Sequence, residues 1–327
     1  MLYCYAAKKI GRTNFKVSEI GYGMWGLAGW KGVEKSEIDE ALARGIELGC
    51  NFFDTAWAYA DGVSEQILGK LMRQYAGKEF HFATKIPAKN FTWPSKPSFT
   101  IDECFPADHI IEYTEKSLKN LKVDRIDLQQ FHVWEDSWAN KDEWKTAVDK
   151  LKKEGKVKHF GVSVNRWEPD NVLNTLKTGL IDTVQVIYNI FDQAPEDNLF
   201  PLCKKLDIGV IARVPFDEGT LTGTLTKDTT FPKGDWRATY FVPENLIPSV
   251  ERADDLKALV PSRMSMAQMA LKFILSNDDV HTIIPGMRKV RNVEANMATS
   301  DGKKLSDELL KELKDHRWDR TPTEWSQ

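Results

Sequence analysis

The sequence predicts an α/β fold: a single (β/α)8 TIM barrel, with residues 1–327 forming one domain. Three observations carry this expectation. Eight short β-branched or aromatic runs alternate with longer charged segments of helical period. Several of the runs, VQVIYN and IGVIARV among them, are continuously apolar, as strands buried on both faces are. No Ser/Gly/Pro-rich linker divides the chain, and barrels of this kind exceed about 250 residues as one domain.

The strand runs are Val17–Trp25, Asn51–Ala56, Phe80–Ile86, Ile126–His132, His159–Val164, Thr183–Asn189, Ile208–Val214 and His281–Pro285. Between them, Lys35–Leu48 places Ile38, Leu42 and Ile46 on one face, with Ala41 beside it. Val63–Tyr75 does the same through Ile67, Leu68 and Leu71. Ala107–Asn120, Asp142–Lys153, Pro169–Leu176, Glu196–Leu206 and Met264–Ser276 read alike. Pro169, Pro195 and Ser36 lie near expected helix starts. Gly49, Gly155 and Gly209 lie near helix ends or strand starts, where a positive φ is often required.

Two long stretches break the rhythm: Pro87–Pro106 after strand three and Pro215–Pro248 after strand seven. Both follow strand C-terminal ends, the edge on which such barrels carry active-site loops. An extra C-terminal helix, Ser306–Lys314, and a polar tail ending RTPTEWSQ follow strand eight.

A formal net charge of −3 excludes the basic field that general nucleic-acid binding needs. The four cysteines, Cys4, Cys50, Cys104 and Cys203, are far apart and form no C-x-x-C pair. They read as reduced thiols of a cytoplasmic protein. Cys104, in a polar Pro-rich segment, has the setting of an exposed thiol. The start MLYCYAAKKIGR lacks the apolar core of a signal peptide, and no apolar run reaches membrane-span length. The six histidines show no H-x-x-x-H or H-E-x-x-H spacing, so no metal site is expected. Nothing in the pattern sets an oligomeric state.

The segment GYGMWG (Gly21, Gly23, Gly26) matches the dinucleotide fingerprint G-x-G-x-x-G. The motif demands a helix opening under the pyrophosphate. Here the chain runs on as LAGWKGVEKS, which is loop-like, so the match reads as a decoy. The glycines are expected instead to let the first strand turn outward at the barrel mouth.

Four polar residues fall where a barrel uses them. Asp54 ends NFFDTA, Tyr59 follows in the next loop, Lys85 ends FHFATK, and His132 ends LQQFH. Strands two, three and four are neighbours, so these side chains meet at one mouth. Hydride delivery to a carbonyl carbon leaves an oxyanion that must gain a proton. A tyrosine can give it if a nearby ammonium lowers its pKa. Lys85, held by Asp54, fits that role, and His132 can polarise the carbonyl oxygen. Taken singly, the Asp and Lys are compatible with an ordinary ion pair, and the His with a structural role.

A phosphate site is also suggested. Strand eight runs into MRKVRNVEAN, a helix start carrying Arg288, Lys289 and Arg291. Barrels often bind phosphate after strands seven and eight, and helix N-termini attract it. Three cations there suit an additional 2′-phosphate, hence NADPH over NADH. A solvated basic segment is the alternative.

The sequence resembles the aldo-keto reductase family. NFFDTAWAYADGVSEQILGKLM is similar to the family's Asp-and-Tyr segment, FATKI to its lysine strand and DLQQFHVW to its histidine strand. The likeness runs from KKIGRTNFKVSEIGYGMWG to IPGMRKVRNVEANM. It implies catalytic roles for Asp54, Tyr59, Lys85 and His132. It implies that Ser163, Asn165 and Gln185 hold the nicotinamide carboxamide. Arg213 matches the nicotinamide-face position, commonly aromatic in the family; a guanidinium plane can also stack on a ring. Gly219, Thr220 and Leu221 match the segment over the pyrophosphate. Gly286, Met287, Arg288, Asn292 and Asn296 match positions near the 2′-phosphate, where Glu294 would repel if it pointed inward.

Trp25, Trp57, Trp93, Trp134, Phe216, Phe231 and Trp236 crowd the expected mouth. An aromatic pocket with few polar groups suits a small carbonyl compound. The expected activity is NADPH-dependent reduction of aldehydes or ketones, sugars included, with NADH as a possible substitute. Two other readings remain: a nicotinamide-binding regulatory subunit of a membrane channel, and a lyase or isomerase using Lys85 as a Schiff base.

Overall fold

The structure, a computed structural model, describes residues 6–28 and 34–326. An antiparallel hairpin of β1 (Ala7–Lys9) and β2 (Lys16–Ser18) comes first. The barrel strands are β3 (Tyr22–Gly23), β4 (Phe52–Asp54), β5 (His81–Ile86), β6 (Ile126–Phe131), β7 (Val157–Ser163), β8 (Thr183–Ile187), β9 (Gly209–Arg213) and β10 (Thr282–Ile283). They are parallel and adjacent in chain order. Bridges Ile20–Ile283 and Gly23–Gly286 link the first barrel strand to the last.

The helices are α1 (Lys35–Glu47), α2 (Val63–Gln74), α3 (Ile101–Cys104), α4 (Ala107–Leu121), α5 (Asp142–Lys153), α6 (Leu173–Lys177), α7 (Leu199–Leu206), α8 (Arg237–Tyr240), α9 (Pro243–Leu256), α10 (Met266–Leu275), α11 (Val290–Met297) and α12 (Asp307–Lys314). Their apolar faces, such as Ile38, Ala41, Leu42 and Ile46 of α1, are buried. Ser306 caps α12, accepting from the Leu309 N–H at 3.3 Å. No helix among the described residues is long and apolar enough to cross a membrane.

Several boundaries differ from expectation for identifiable reasons. The expected first strand Val17–Trp25 is split: Val17 belongs to the hairpin, and Trp25–Leu27 is a 3₁₀ turn. The hairpin plugs the barrel floor, packing Ile10, Phe15 and Val17 against Phe52, Ala83, Leu128, Ile211 and Ile284. Gly21, Gly23 and Gly26 all lack a positive φ. A Cβ on Gly23 would lie 2.6 Å from the Ile284 carbonyl oxygen, so glycine is needed for the closing strands to meet. Gly49 and Gly155 have φ of +90° and +72°. Gly209 does not; it is required because a Cβ there would lie 2.1 Å from Ile10 Cγ2.

The helix expected over Pro169–Leu176 begins only at Leu173. Its N-terminus is fixed from outside, by the Asp136 carboxylate accepting from the Asn174 and Thr175 N–H groups at 2.9 and 2.8 Å. The stretch Pro215–Pro248 is not all loop, because α9 starts at Pro243 and carries Pro248 inside it. In Pro87–Pro106, a Thr100–Glu103 capping box starts α3 and turns Cys104 into the core. Cys104 is therefore buried, not exposed, and burial pushes its thiol up to about 11. Of the decoy's continuation LAGWKGVEKS, residues 29–33 lie outside the described residues, as does Cys4.

Strand side chains two apart share a face. One step above the floor layer of Phe52, Ala83, Leu128 and Ile211, the inward residues are Asp54, Lys85, Gln130 and Arg213. The floor is thus apolar and the mouth polar.

Candidate active site

Asp54, Lys85 and Tyr59 meet at this mouth. The Lys85 ammonium donates to Asp54 Oδ1 at 2.5 Å, to the Thr55 carbonyl at 2.7 Å and to the Tyr59 hydroxyl at 3.3 Å. Asp54 Oδ2 accepts from Gln185 at 2.7 Å and from Gln130 at 3.2 Å. Both carboxylate oxygens are thereby occupied, and the lysine is fixed. The His132 ring lies edge-on to Tyr59, with centroids 5.6 Å apart. Its Nδ1 is buried with no partner among the described residues.

The electrostatics follow from burial. Burial alone would lower the Lys85 ammonium, but Asp54 and Tyr59 turn the net shift upward. Burial, then the Lys85 and Arg213 charges, hold His132 neutral, well below its ordinary value. Tyr59 departs from expectation. Burial pushes its phenol up and, with the Asp54 charge, outweighs the pull of Lys85. At neutral pH Tyr59 is therefore a protonated phenol.

Ser163, at the end of β7, is buried opposite Gln185 in register. Gln185 gives an amide proton to Asp54, as described. Asn165 lies in a polar knot, donating to Ser95 at 2.9 Å and to Glu135 and Glu168 at 3.1 Å. Arg213, at the end of β9, crosses toward β7 and donates to the Val164 carbonyl at 2.9 Å. Beside it, Arg166 pairs with Glu218 at 2.6 Å.

The loop after β9 holds Val214, Asp217, Glu218 and Gly219 at φ of 55°, 47°, 57° and 118°. A left-handed valine is strained, and such strain collects at ligand-binding loops. Thr220 and Leu221 are buried beneath this loop. A Cβ at Gly219 or Gly286 would meet nothing within 4 Å, so backbone is open at both rims.

Arg288 is half-buried against Gly26, and Asn296 of α11 is buried while Asn292 is exposed. Burial, then the Arg237 charge, lowers the Arg288 guanidinium, with Asp235 opposing. Met287 is buried, and its carbonyl accepts from the Tyr22 hydroxyl. Glu294 turns away to pair with Arg44 at 2.9 Å. Two open backbone rims, the Arg288 cation, with Arg237 near it bonded to Asp235 at 2.6 Å, and the polar mouth fit a dinucleotide carrying phosphate.

Trp25 and Trp93 are 42% and 44% exposed at the mouth. Trp93 meets the His132 ring edge-on at 3.9 Å, and Trp25 packs on Trp236 at 4.9 Å. Trp57 is half-buried against Tyr113. Phe216 is half-buried against the main core, whereas Phe231 joins a satellite cluster around Tyr240 and Phe241. Trp134 is not brought to the mouth. The chain bends at His132 and Val133, and Trp134 is fully buried among Phe131, Trp138 and Trp144, its indole N–H donating to Thr175 at 2.7 Å.

Sequence reasoning missed Gln130, Ser95, Glu135 and the Arg166–Glu218 pair. Gln130 follows the inward parity of Leu128 and His132, which would have placed it. The others are joined only by tertiary contacts.

A model of the aldo/keto reductase family matches residues 19–317. An uncharacterized oxidoreductase of Bacillus subtilis is 30% identical over 319 residues, covering 94% of this chain and 95% of its own. The NADH-specific methylglyoxal reductase of Escherichia coli is 27% identical over 308 residues, covering 88% and 91%. Among solved structures, the glycerol dehydrogenase of Gluconobacter oxydans superimposes with a TM-score of 0.77 at 27% identity, covering 94% of each chain.

Proposed function

This chain belongs to the aldo/keto reductase family, and we propose that it reduces aldehyde or ketone carbonyls to alcohols with NADPH. The observation that carries this reading is the Lys85 ammonium bonded at once to Asp54 and to the Tyr59 hydroxyl.

A bound reduced nicotinamide nucleotide supplies the hydride. The residues of the chain manage the proton and the charge. Tyr59, kept protonated, donates to the carbonyl oxygen as its negative charge develops. Lys85 lies against the phenol oxygen and stabilises the phenolate left behind. Asp54 fixes Lys85, and Gln130 and Gln185 fix Asp54. His132, kept neutral, has one ring N–H with which to polarise the carbonyl oxygen. In the reverse direction, Tyr59 as phenolate is the base. Trp25, Trp57, Trp93 and Phe216 wall the substrate and keep water from the reacting atoms.

We assign the nicotinamide end to Ser163, Asn165, Gln185 and Arg213, and the pyrophosphate to the backbone at Gly219 and Leu221. Gly286, Met287, Arg288, Asn292 and Asn296 take the adenosine end. Arg288 at the start of α11 favours a 2′-phosphate and so NADPH. The relative in E. coli bears an NADH-specific name, which makes the cofactor comparison a direct test. The buried free thiols of Cys50, Cys104 and Cys203 support a cytoplasmic setting.

The reading is tested by following reduced-nicotinamide absorbance with an aromatic aldehyde, for the wild type and Tyr59→Phe. Aldehyde-dependent oxidation by the wild type, lost in the variant, supports it; equal rates in both would remove the proton donor.

A further inference from the structure

The turn that carries the backbone assigned to the pyrophosphate is held from the far end of the chain. Val214, Asp217 and Glu218 stand in the left-handed region, at φ of 55°, 47° and 57°. Residues other than glycine are strained there, so the turn persists only where its surroundings fix it. The Asp217 N–H donates to the Val214 carbonyl at 3.2 Å. The Gly219 and Leu221 N–H groups both donate to the Phe216 carbonyl at 2.9 Å. The backbone of residues 219–221 therefore goes where residues 214–217 are set.

Arg320, in the polar C-terminal tail, fixes both ends of that turn. Its Nη2 donates to Asp217 Oδ1 at 2.8 Å and to Asp192 Oδ2 at 2.5 Å. Asp192 also accepts from the Asn189 amide at 2.8 Å, and the same amide nitrogen donates to the Val214 carbonyl at 3.1 Å. One guanidinium thus reaches Asp217 directly and Val214 through two side chains. The guanidinium carbon lies 4.5 and 4.6 Å from the ring centroids of Trp167 and Trp318. The Trp318 N–H donates to the Phe191 carbonyl at 2.8 Å, which docks the tail beside Asp192.

The contact is buried, with the Arg320 side chain 4% exposed and that of Asp217 1%. The second Asp217 oxygen has no partner among the described residues. Arg166 attracts Asp217 from a distance but is bonded to Glu218. The Asp217 carboxylate therefore depends on Arg320. Taking one partner from a buried ion pair leaves the other charge unpaired out of water. Without Arg320, Asp192 and Asp217 would also face each other as like charges.

We propose that Arg320 is a positioning residue for the cofactor: it latches residues 214–217 to the barrel and so sets the backbone that covers the bound nucleotide. This rests on the reductase reading, with the pyrophosphate at Gly219 and Leu221. Arg320 acts on the nucleotide only through Asp217 and Asp192, so it does not distinguish NADPH from NADH.

The test compares the wild type with Arg320→Met, Arg320→Lys and Asp217→Asn. Stopped-flow tryptophan fluorescence gives the dissociation rates of NADPH and NADH, and titration gives their Kd values. Single-turnover absorbance with an aromatic aldehyde gives hydride transfer at saturating cofactor. In Arg320→Met both nucleotides are expected to leave roughly tenfold faster and to bind more weakly by the same factor. The loss falls on cofactor binding, not on hydride transfer at saturation or its pH profile. Arg320→Lys should recover part of it. Adding Arg320→Met to Asp217→Asn should cost less than Arg320→Met alone, because the two residues share one contact. Unchanged dissociation of both nucleotides, with or without a lower urea midpoint, overturns the proposal. So does a loss confined to NADPH, which would make Arg320 a reader of the phosphate. If the wild type binds neither nucleotide, the cofactor reading fails, and hydrogen exchange of the ligand-free protein decides the latch. Faster exchange confined to residues 214–222 in Arg320→Met then supports it; unchanged exchange there, or a rise spread evenly over the barrel, overturns it. Asp217→Asn carries the comparison should Arg320→Met fail to fold.

Discussion

The Lys85 ammonium lies 3.3 Å from the Tyr59 hydroxyl while Asp54 holds it at 2.5 Å. Three side chains from two neighbouring βα units, Asp54 and Tyr59 from the first and Lys85 from the second, are thus joined into one hydrogen-bonded group. Removing the phenol oxygen leaves the ring and its neighbours in place. Tyr59→Phe is therefore expected to lower kcat by roughly 10²–10⁴-fold with the Kd for NADPH little changed. Single-turnover absorbance and fluorescence titration separate the two quantities. A variant as fast as the wild type would remove Tyr59 from the chemistry.

The phenol is raised above its ordinary value by burial, against the pull of Lys85. Tyr59 should therefore remain protonated through neutral and moderately alkaline pH, to beyond about 10. The phenolate absorbance of the wild type minus that of Tyr59→Phe should show no titration below that point. Reduction needs the protonated form, so its rate should hold as pH rises and decline only above that value, while alcohol oxidation should increase. A phenolate signal near neutral pH would mean that the ammonium wins over burial.

Arg288 has the setting of a phosphate reader at the start of α11. Arg288→Ala is expected to weaken NADPH binding by roughly tenfold or more, as loss of a charge-assisted contact does, and NADH binding much less. Intrinsic tryptophan fluorescence follows both titrations. Equal losses for the two nucleotides would show that Arg288 does not recognise the 2′-phosphate.

At the barrel floor, Asp182 accepts from Arg12 at 2.9 Å, Lys152 at 3.1 Å and His159 at 3.2 Å. Burial would raise this carboxyl, but the hydrogen bonds and charges of His159 and Lys152 bring it down to about 2 from 3.8. A depressed carboxyl stabilises the fold above its unfolded value, and that stability is lost as pH falls through the folded one. The shift corresponds to about 2 kcal/mol. Urea unfolding of wild type and Asp182→Asn should differ by about that amount at neutral pH. The difference should close between about pH 4 and pH 2. A gap independent of pH would assign the effect to packing.

Much of this was legible because strand and helix periods are local. Lys85 and His132 were found from their places at strand ends, and inward parity would have added Gln130. What was hidden depends on contacts distant in sequence. Asp136 shortens α6 from outside, and the floor hairpin takes Val17 from the first strand. Pro248 disguised α9, since a proline inside a helix reads as a break. Trp134 and Cys104 were misplaced because composition does not tell which way a chain bends after its element ends. The direction of the Tyr59 shift also escaped, because it weighs burial against a neighbouring charge, and burial is not written in the sequence.

The central claim is nicotinamide-dependent carbonyl reduction at the Tyr59–Lys85–Asp54–His132 mouth. The most direct measurement is titration with NADPH, followed by addition of an aromatic aldehyde while reduced-nicotinamide absorbance is monitored. Binding followed by aldehyde-dependent loss of absorbance is the expected result. Binding with no turnover across a broad panel of aldehydes, ketones and 2-oxo acids, or no binding of either nucleotide, would contradict it.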